Sequence, residues 1–139
     1  MLGPLSPNPM PPFYYQTRFI PENLPTPLPG TFAIITAFAT TGETWTESEN
    51  AAANAALRAD LERSDRLLGS LTGYSPDTGH AEPGFAASLP FEAACDLGLK
   101  FKQDAIYFVD SGILHVSYCD HRRRLDPVAA FLDRLDPLP

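Results

Sequence analysis

Six side chains carry the functional groups that chemistry needs: Thr36, Glu49, Asn50, His80, Glu82 and Gln103. They supply one hydroxyl, two carboxylates, two amides and one imidazole, a set that can hold a polar ligand or move a proton. Glu49 and Glu82 beside His80 would make the acid–base set of a small hydrolase, with or without a divalent metal. The same groups without that juxtaposition make a polar binding rim. The loop Thr40-Thr41-Gly42 would add hydroxyls and a pliable backbone to it. Other constellations are weaker. Cys119-Asp120-His121 offers three donors without a zinc spacing, and zinc usually takes four convergent ligands. Gly69-Ser70-Leu71-Thr72-Gly73 lacks the spacing of a nucleophile elbow. Gly73, Gly79 and Gly98 do not form a phosphate loop. No metal and no cofactor is expected.

A plainer reading competes at each position. Thr46-Glu47-Ser48-Glu49 fits a capping box, in which Thr46 caps a helix and Glu49 bonds back to its amide. Asn50 and Asn54 lie one turn apart, near the stripe of Leu57, where buried amides commonly satisfy loop backbone. Gln103 can tie a sheet edge to the loop after Thr36. The run His121-Arg122-Arg123-Arg124 reads as a solvated turn, or as partners for Asp120 and Asp126.

Composition bounds the function classes. The 139 residues are 44% hydrophobic and 19% charged, the profile of one folded domain. A net charge of −7 argues against nucleic-acid binding, which needs basic surface, and against docking on an anionic membrane. No apolar run approaches the length of a membrane span. The first 17 residues carry no charge and no apolar signal core, so no secretory signal is expected. Two cysteines without metal spacing suggest reduced thiols and a cytoplasmic location.

The elements that must position these groups follow from periodicity. Nine of the fifteen prolines lie between Pro4 and Pro29. Residues 1–12 therefore read as an extended proline-rich arm, with a single domain over 13–139. Phe13–Ile20 reads as a strand stopped by Pro21, and Thr31–Ala39 as a central strand. Thr46 to about Ser64 reads as a helix with Ala53, Leu57 and Leu61 on one stripe. Strands are expected at Leu67–Tyr74 and Phe85–Leu89, and a helix from Pro90 to about Leu99. A hairpin spans Asp104–Val109 and Ile113–Tyr118, and Asp126–Leu135 reads as a terminal helix.

From Thr31 to Val109 the order is strand, helix, strand, strand, helix, strand. That is the split βαβ order of a ferredoxin-like fold, so an α+β class with a mainly antiparallel sheet is expected. Both helices would cover one face. The small residues Ala33 and Ala37 suit the helix side, which leaves Phe32, Ile34 and Phe38 on the other. That face needs cover from the arm, the terminal helix or a second copy of the chain. The terminal helix, carrying Val128, Phe131, Leu132 and Leu135, is better equipped than the arm. The topology also brings Thr36, Glu49, Asn50, His80, Glu82 and Gln103 to one rim, beside a helix N-terminus with free amides.

Several local signatures resemble an uncharacterised bacterial family, domain of unknown function 3293. They are Tyr15-Gln16-Thr17-Arg18-Phe19, the strand ending Ile35-Thr36-Ala37, Glu49-Asn50, and Phe101-Lys102-Gln103-Asp104-Ala105-Ile106. The resemblance spans about Tyr14 to Tyr118 and implies no activity. The chain is thus expected to be a small binding or regulatory module, monomeric or homodimeric, taking a polar ligand or a protein partner. A small hydrolase is the alternative.

Overall fold

The alternation Phe32-Ala33-Ile34-Ile35 sets the layering, because neighbouring strand residues face opposite sides of a sheet. The computed structural model describes residues 10–38 and 45–137. A 3₁₀ turn at Pro12–Tyr15 is followed by β1 (Arg18–Asn23), β2 (Phe32–Ile35), α1 (Glu47–Arg63), β3 (Leu67–Tyr74) and β4 (Ala81–Ala87). Then come α2 (Phe91–Lys100), β5 (Ala105–Asp110), β6 (Ile113–Tyr118), β7 (Asp126–Ala130) and α3 (Phe131–Arg134). The fold is α+β. Its seven strands form one sheet in the order β1-β3-β4-β2-β5-β6-β7, and every pairing in it is antiparallel. The sheet curls into a half-barrel, wider than the ferredoxin-like arrangement expected.

Each face has its own core. On the convex side Ala33, Ile35 and Ala37 pack with Leu57 and Leu61 of α1 and with Ala94 and Cys95 of α2. Small side chains let the two helices lie close to the strands. Gly98 shows how close: a Cβ there would press on Cys119 Sγ and Ile106. The capping box forms as expected, with Thr46 Oγ1 accepting from the Glu49 amide at 3.1 Å and Glu49 Oε1 accepting from the Thr46 amide at 2.9 Å. On the concave side Phe32 and Ile34 join Phe19, Leu71, Val109, Leu114 and Phe131. Phe131 sits edge-on to Phe32, with ring centroids 5.4 Å apart, and 5.8 Å from the Phe19 ring.

Four expectations are corrected. Phe13–Ile20 is not a strand; the 3₁₀ turn comes first and β1 runs on through Pro21. Proline is tolerated there because β1 is an edge strand, paired within the sheet only with β3. β2 is shorter than Thr31–Ala39, and β4 begins at Ala81 rather than Phe85. The C-terminal segment is mostly strand: β7 pairs with β6, which leaves one helical turn. Phe131 is 2% exposed, whereas Leu132 points outward at 71%. Met10, within the expected arm, is buried at 5% exposure, and residues 1–9 lie outside the described residues.

Beyond α3 the chain returns to the opposite edge of the sheet. Leu135 bridges Phe19 in parallel, and the Asp136 amide donates to the Phe19 carbonyl at 2.7 Å. The Asp136 carboxylate accepts from the Tyr74 hydroxyl at 2.5 Å and from Arg18 Nε at 2.9 Å. Tyr74 first, and Arg18 after it, hold that carboxyl below its ordinary range. A depressed carboxylate stabilises the fold above its unfolded pKa of about 3.9 and loses that contribution as pH falls through the folded value.

Two measurements test this closure. Phe131→Ala should lower the unfolding free energy in urea by about 3–5 kcal/mol, the usual range for truncating a buried Phe. Leu132→Ala should stay within about 0.5 kcal/mol of the parent. Asp136→Asn should be less stable than the parent at pH 6, and the gap should close as the pH is taken below the carboxylate range.

Candidate functional site

The concave face is filled at one end only. Phe131 and its neighbours plug the end where β2 begins; at the other end, where β2 and β3 finish and β4 and β5 start, the half-barrel opens into a cavity of about 590 Å³. Its floor is Phe19, Ile34 and Leu71, which also belong to the concave core. Gly73 and Gly84 leave room above that floor. A Cβ on Gly84 would meet the Ile35 carbonyl at 2.9 Å, so the close strand approach there requires glycine.

Aromatic side chains build the walls. Tyr107 comes from β5, Tyr74 from the end of β3, Phe38 from the segment after β2, and Trp45 from the residue before the α1 cap. Phe13 and Tyr14 of the 3₁₀ turn close one side. That turn is pinned by the Tyr107 hydroxyl, which donates to the Tyr14 carbonyl at 2.7 Å and lies 2.7 Å from Thr17 Oγ1. Arg134 Nη1 adds bonds to the Tyr15 and Thr17 carbonyls at 2.8 and 3.2 Å. Burial raises the Tyr107 hydroxyl well above its ordinary pKa, so it stays a neutral donor.

Five of the six residues selected from sequence line this cavity: Thr36, Asn50, His80, Glu82 and Gln103. Glu49 is not among the lining residues, because its carboxylate is turned back to the Thr46 amide. Thr36 and Gln103 are at once lining and structural. Thr36 Oγ1 donates to the Pro83 carbonyl at 2.7 Å and accepts from the Phe38 amide at 3.2 Å. Gln103 Nε2 donates to the Phe38 carbonyl at 2.7 Å and the Phe101 carbonyl at 3.2 Å. The expected strand start at Phe85 would leave both His80 and Glu82 in the preceding loop; because β4 begins at Ala81, only His80 lies in the turn and Glu82 is in the strand. The turn is tight, with Gly79 at φ +75°, and His80 Nε2 reaches Glu82 Oε2 at 2.8 Å. Thr40-Thr41-Gly42 lies outside the described residues.

The other groups stand apart from the cavity. Cys95 and Cys119 are buried free thiols beneath α2. Asp120 is held by Arg122, which keeps its carboxyl at about 2. Arg122 and Arg124 pair with Asp120 and Asp126 as expected, while Arg123 reaches across to Glu92 and Asp96 of α2. Among the described residues no group of three or more His, Cys, Asp or Glu is placed to hold a metal. No helix of the described residues is long and apolar enough to cross a membrane.

A family model described as a protein of unknown function (DUF3293) matches residues 35–106, from the end of β2 to the start of β5. The chain belongs to that family. The matched stretch contains all six residues selected from sequence, while Tyr14, Phe19 and Tyr107 lie outside it. No curated protein and no solved structure matches the chain.

Within this DUF3293 chain the aromatic wall was the part missed by inspection of polar residues. The parity of β5 carried the signal: Ile106 and Phe108 face the helices, so Ala105 and Tyr107 face the concave side. Asn54 was legible. It is buried, its Oδ1 accepts from the Ala37 amide at 2.8 Å, and its Nδ2 donates to the Pro83 carbonyl at 2.9 Å. It thereby locks α1 to the two strand ends that form the cavity rim. Asn54→Leu should cost about 1–3 kcal/mol in a urea titration, because the Ala37 amide loses its acceptor and the Pro83 carbonyl keeps only the Thr36 hydroxyl as donor. Asn54→Asp keeps the acceptor for Ala37 and should still lose stability, because Pro83 then faces a carboxylate.

Proposed function

We propose that this DUF3293 protein is a small cytoplasmic bacterial module that binds a small molecule in the concave cavity, with Thr36, Asn50, His80, Glu82 and Gln103 as its polar groups. One observation carries the reading: a cavity of about 590 Å³ has an apolar floor, aromatic walls and convergent polar side chains at its rim. That volume and that mixture are the usual make-up of small-molecule sites. The strand order β3-β4-β2-β5, with both helices on one face, supports a ferredoxin-like split βαβ unit inside the wider sheet. The unpaired buried thiols support a reducing compartment. On this reading the protein acts as a monomer or homodimer and contacts neither nucleic acid nor membrane.

The hydrolase reading rests on the His80–Glu82 pair. Its third member, Glu49, is engaged in the capping box, and among the described residues no hydroxyl or thiol is hydrogen-bonded to the His80 ring. Ligand binding is the better supported of the two.

The uncharged dye N-phenyl-1-naphthylamine tests the proposal, since its emission rises in apolar surroundings. It should bind saturably at one site and quench Trp45, the single tryptophan of the chain and part of the cavity wall. Ala105→Phe, which places a ring on the concave face of β5, should weaken that binding at least tenfold while the thermal midpoint stays within a few degrees. Non-saturable binding, or equal binding by the variant, would overturn the reading.

A further inference from the structure

The charges around the cavity are one-sided. Among the described residues its lining includes two acidic residues, Glu82 and Asp104, and no lysine or arginine. Guanidinium groups on the surrounding elements are already engaged: Arg18 with Asp136, Arg122 with Asp120, and Arg134 with the Tyr15 and Thr17 carbonyls. Neither Glu82 nor Asp104 forms an ion pair with Lys or Arg among the described residues. His80 reaches only one oxygen of Glu82, Oε2, and does so from the solvent side, with 69% of its side chain exposed against 29% for Glu82. Glu82 Oε1 takes no hydrogen bond among the described residues.

The neutral groups point the same way. Tyr74, Tyr107 and Trp45 present aromatic surface, whose ring faces carry partial negative charge and attract cations. Gln103 spends its Nε2 donor on the Phe38 and Phe101 carbonyls. Its Oε1 takes no hydrogen bond among the described residues, so the amide offers an acceptor. An anion entering here would meet the Glu82 carboxylate, which has no lysine or arginine paired with it among the described residues. A protonated amine would meet carboxylate, carbonyl oxygen and ring faces, and its apolar body would lie on Phe19, Ile34 and Leu71.

We propose that the ligand of this cavity is a small organic cation, an ammonium group carried on an aromatic or aliphatic body, with Glu82 as its counter-ion. This deepens the binding reading above and rests on it. The recognition is charge complementarity in a partly desolvated site, where a carboxylate–ammonium pair is worth more than in open water.

Three probes of equal ring and different charge separate the possibilities: benzylammonium, benzyl alcohol and benzoate, each titrated against Trp45 fluorescence in the full chain. Benzylammonium should bind at least tenfold tighter than benzyl alcohol, and benzoate should be the weakest. Glu82→Gln should bring benzylammonium down to the affinity of benzyl alcohol for the same variant, and a thermal midpoint within a few degrees of the parent shows that the variant is folded. Should Glu82→Gln fail to fold, Glu82→Asp replaces it as the test: it keeps the charge, so benzylammonium must still outbind benzyl alcohol at least threefold. Equal affinity for the three probes, a preference for benzoate, or indifference of benzylammonium to Glu82→Gln would overturn the cationic ligand while the cavity reading stands. If the dye and all three probes fail to bind, the cavity reading itself falls.

Discussion

Phe131 is held between Phe19 and Phe32 on the concave face of the sheet, and the arrangement of that face depends on it. A seven-stranded antiparallel sheet with helices on one side has a second side to bury, and each large apolar residue left in water there forfeits about 1.5–3 kcal/mol. The chain meets this by curling the sheet and returning its own C-terminus across the hollow. Leu135 and Asp136 then fasten that segment to β1, the far edge, so one segment both fills the half-barrel and tethers its two edges.

The plug is too short to fill the whole hollow. One helical turn and two flanking residues occupy the end where β2 begins, and the other end is left to the cavity. The cavity is therefore a consequence of how the concave face is covered rather than a local feature of one loop. Its walls are held by groups that answer to the same closure: Tyr107 pins the 3₁₀ turn, and Arg134, on the plug itself, bonds the carbonyls of Tyr15 at its end and of Thr17 just beyond. Anything that loosens the C-terminal turn reaches the cavity through these bonds.

The convex side works differently. There α1 and α2 lie on small residues of the strands, and Asn54 ties α1 to Ala37 and Pro83. The buried amide is bonded to backbone at both ends, which ties the strand ends together without adding a charge to the core. Thr36 and Gln103 do the same from the cavity side. Polar residues of this rim thus serve the fold with one atom and face the cavity with another, so the structural and binding readings of Gln103 describe different ends of one side chain.

Much of this was legible in the residues. Thr46 with Glu49 announces the capping box, the Leu57–Leu61 stripe announces α1, and alternation in Phe32–Ile35 announces two unlike faces, because these signals are local and repeat with the period of the element. The rim was partly legible as well, since strand and helix ends brought to one edge must carry Thr36, Asn50, His80, Glu82 and Gln103 with them. Three things were decided only by tertiary structure. Pro21 sits within a strand because β1 is an edge, and edge position is a property of the sheet. Asp126–Ala130 is a strand because β6 offers an open partner, which outweighs the helical spacing of Val128, Phe131, Leu132 and Leu135. The cavity and its aromatic walls draw on residues from Phe13 to Tyr107, far apart in the chain, and only the curl of the sheet brings their side chains together.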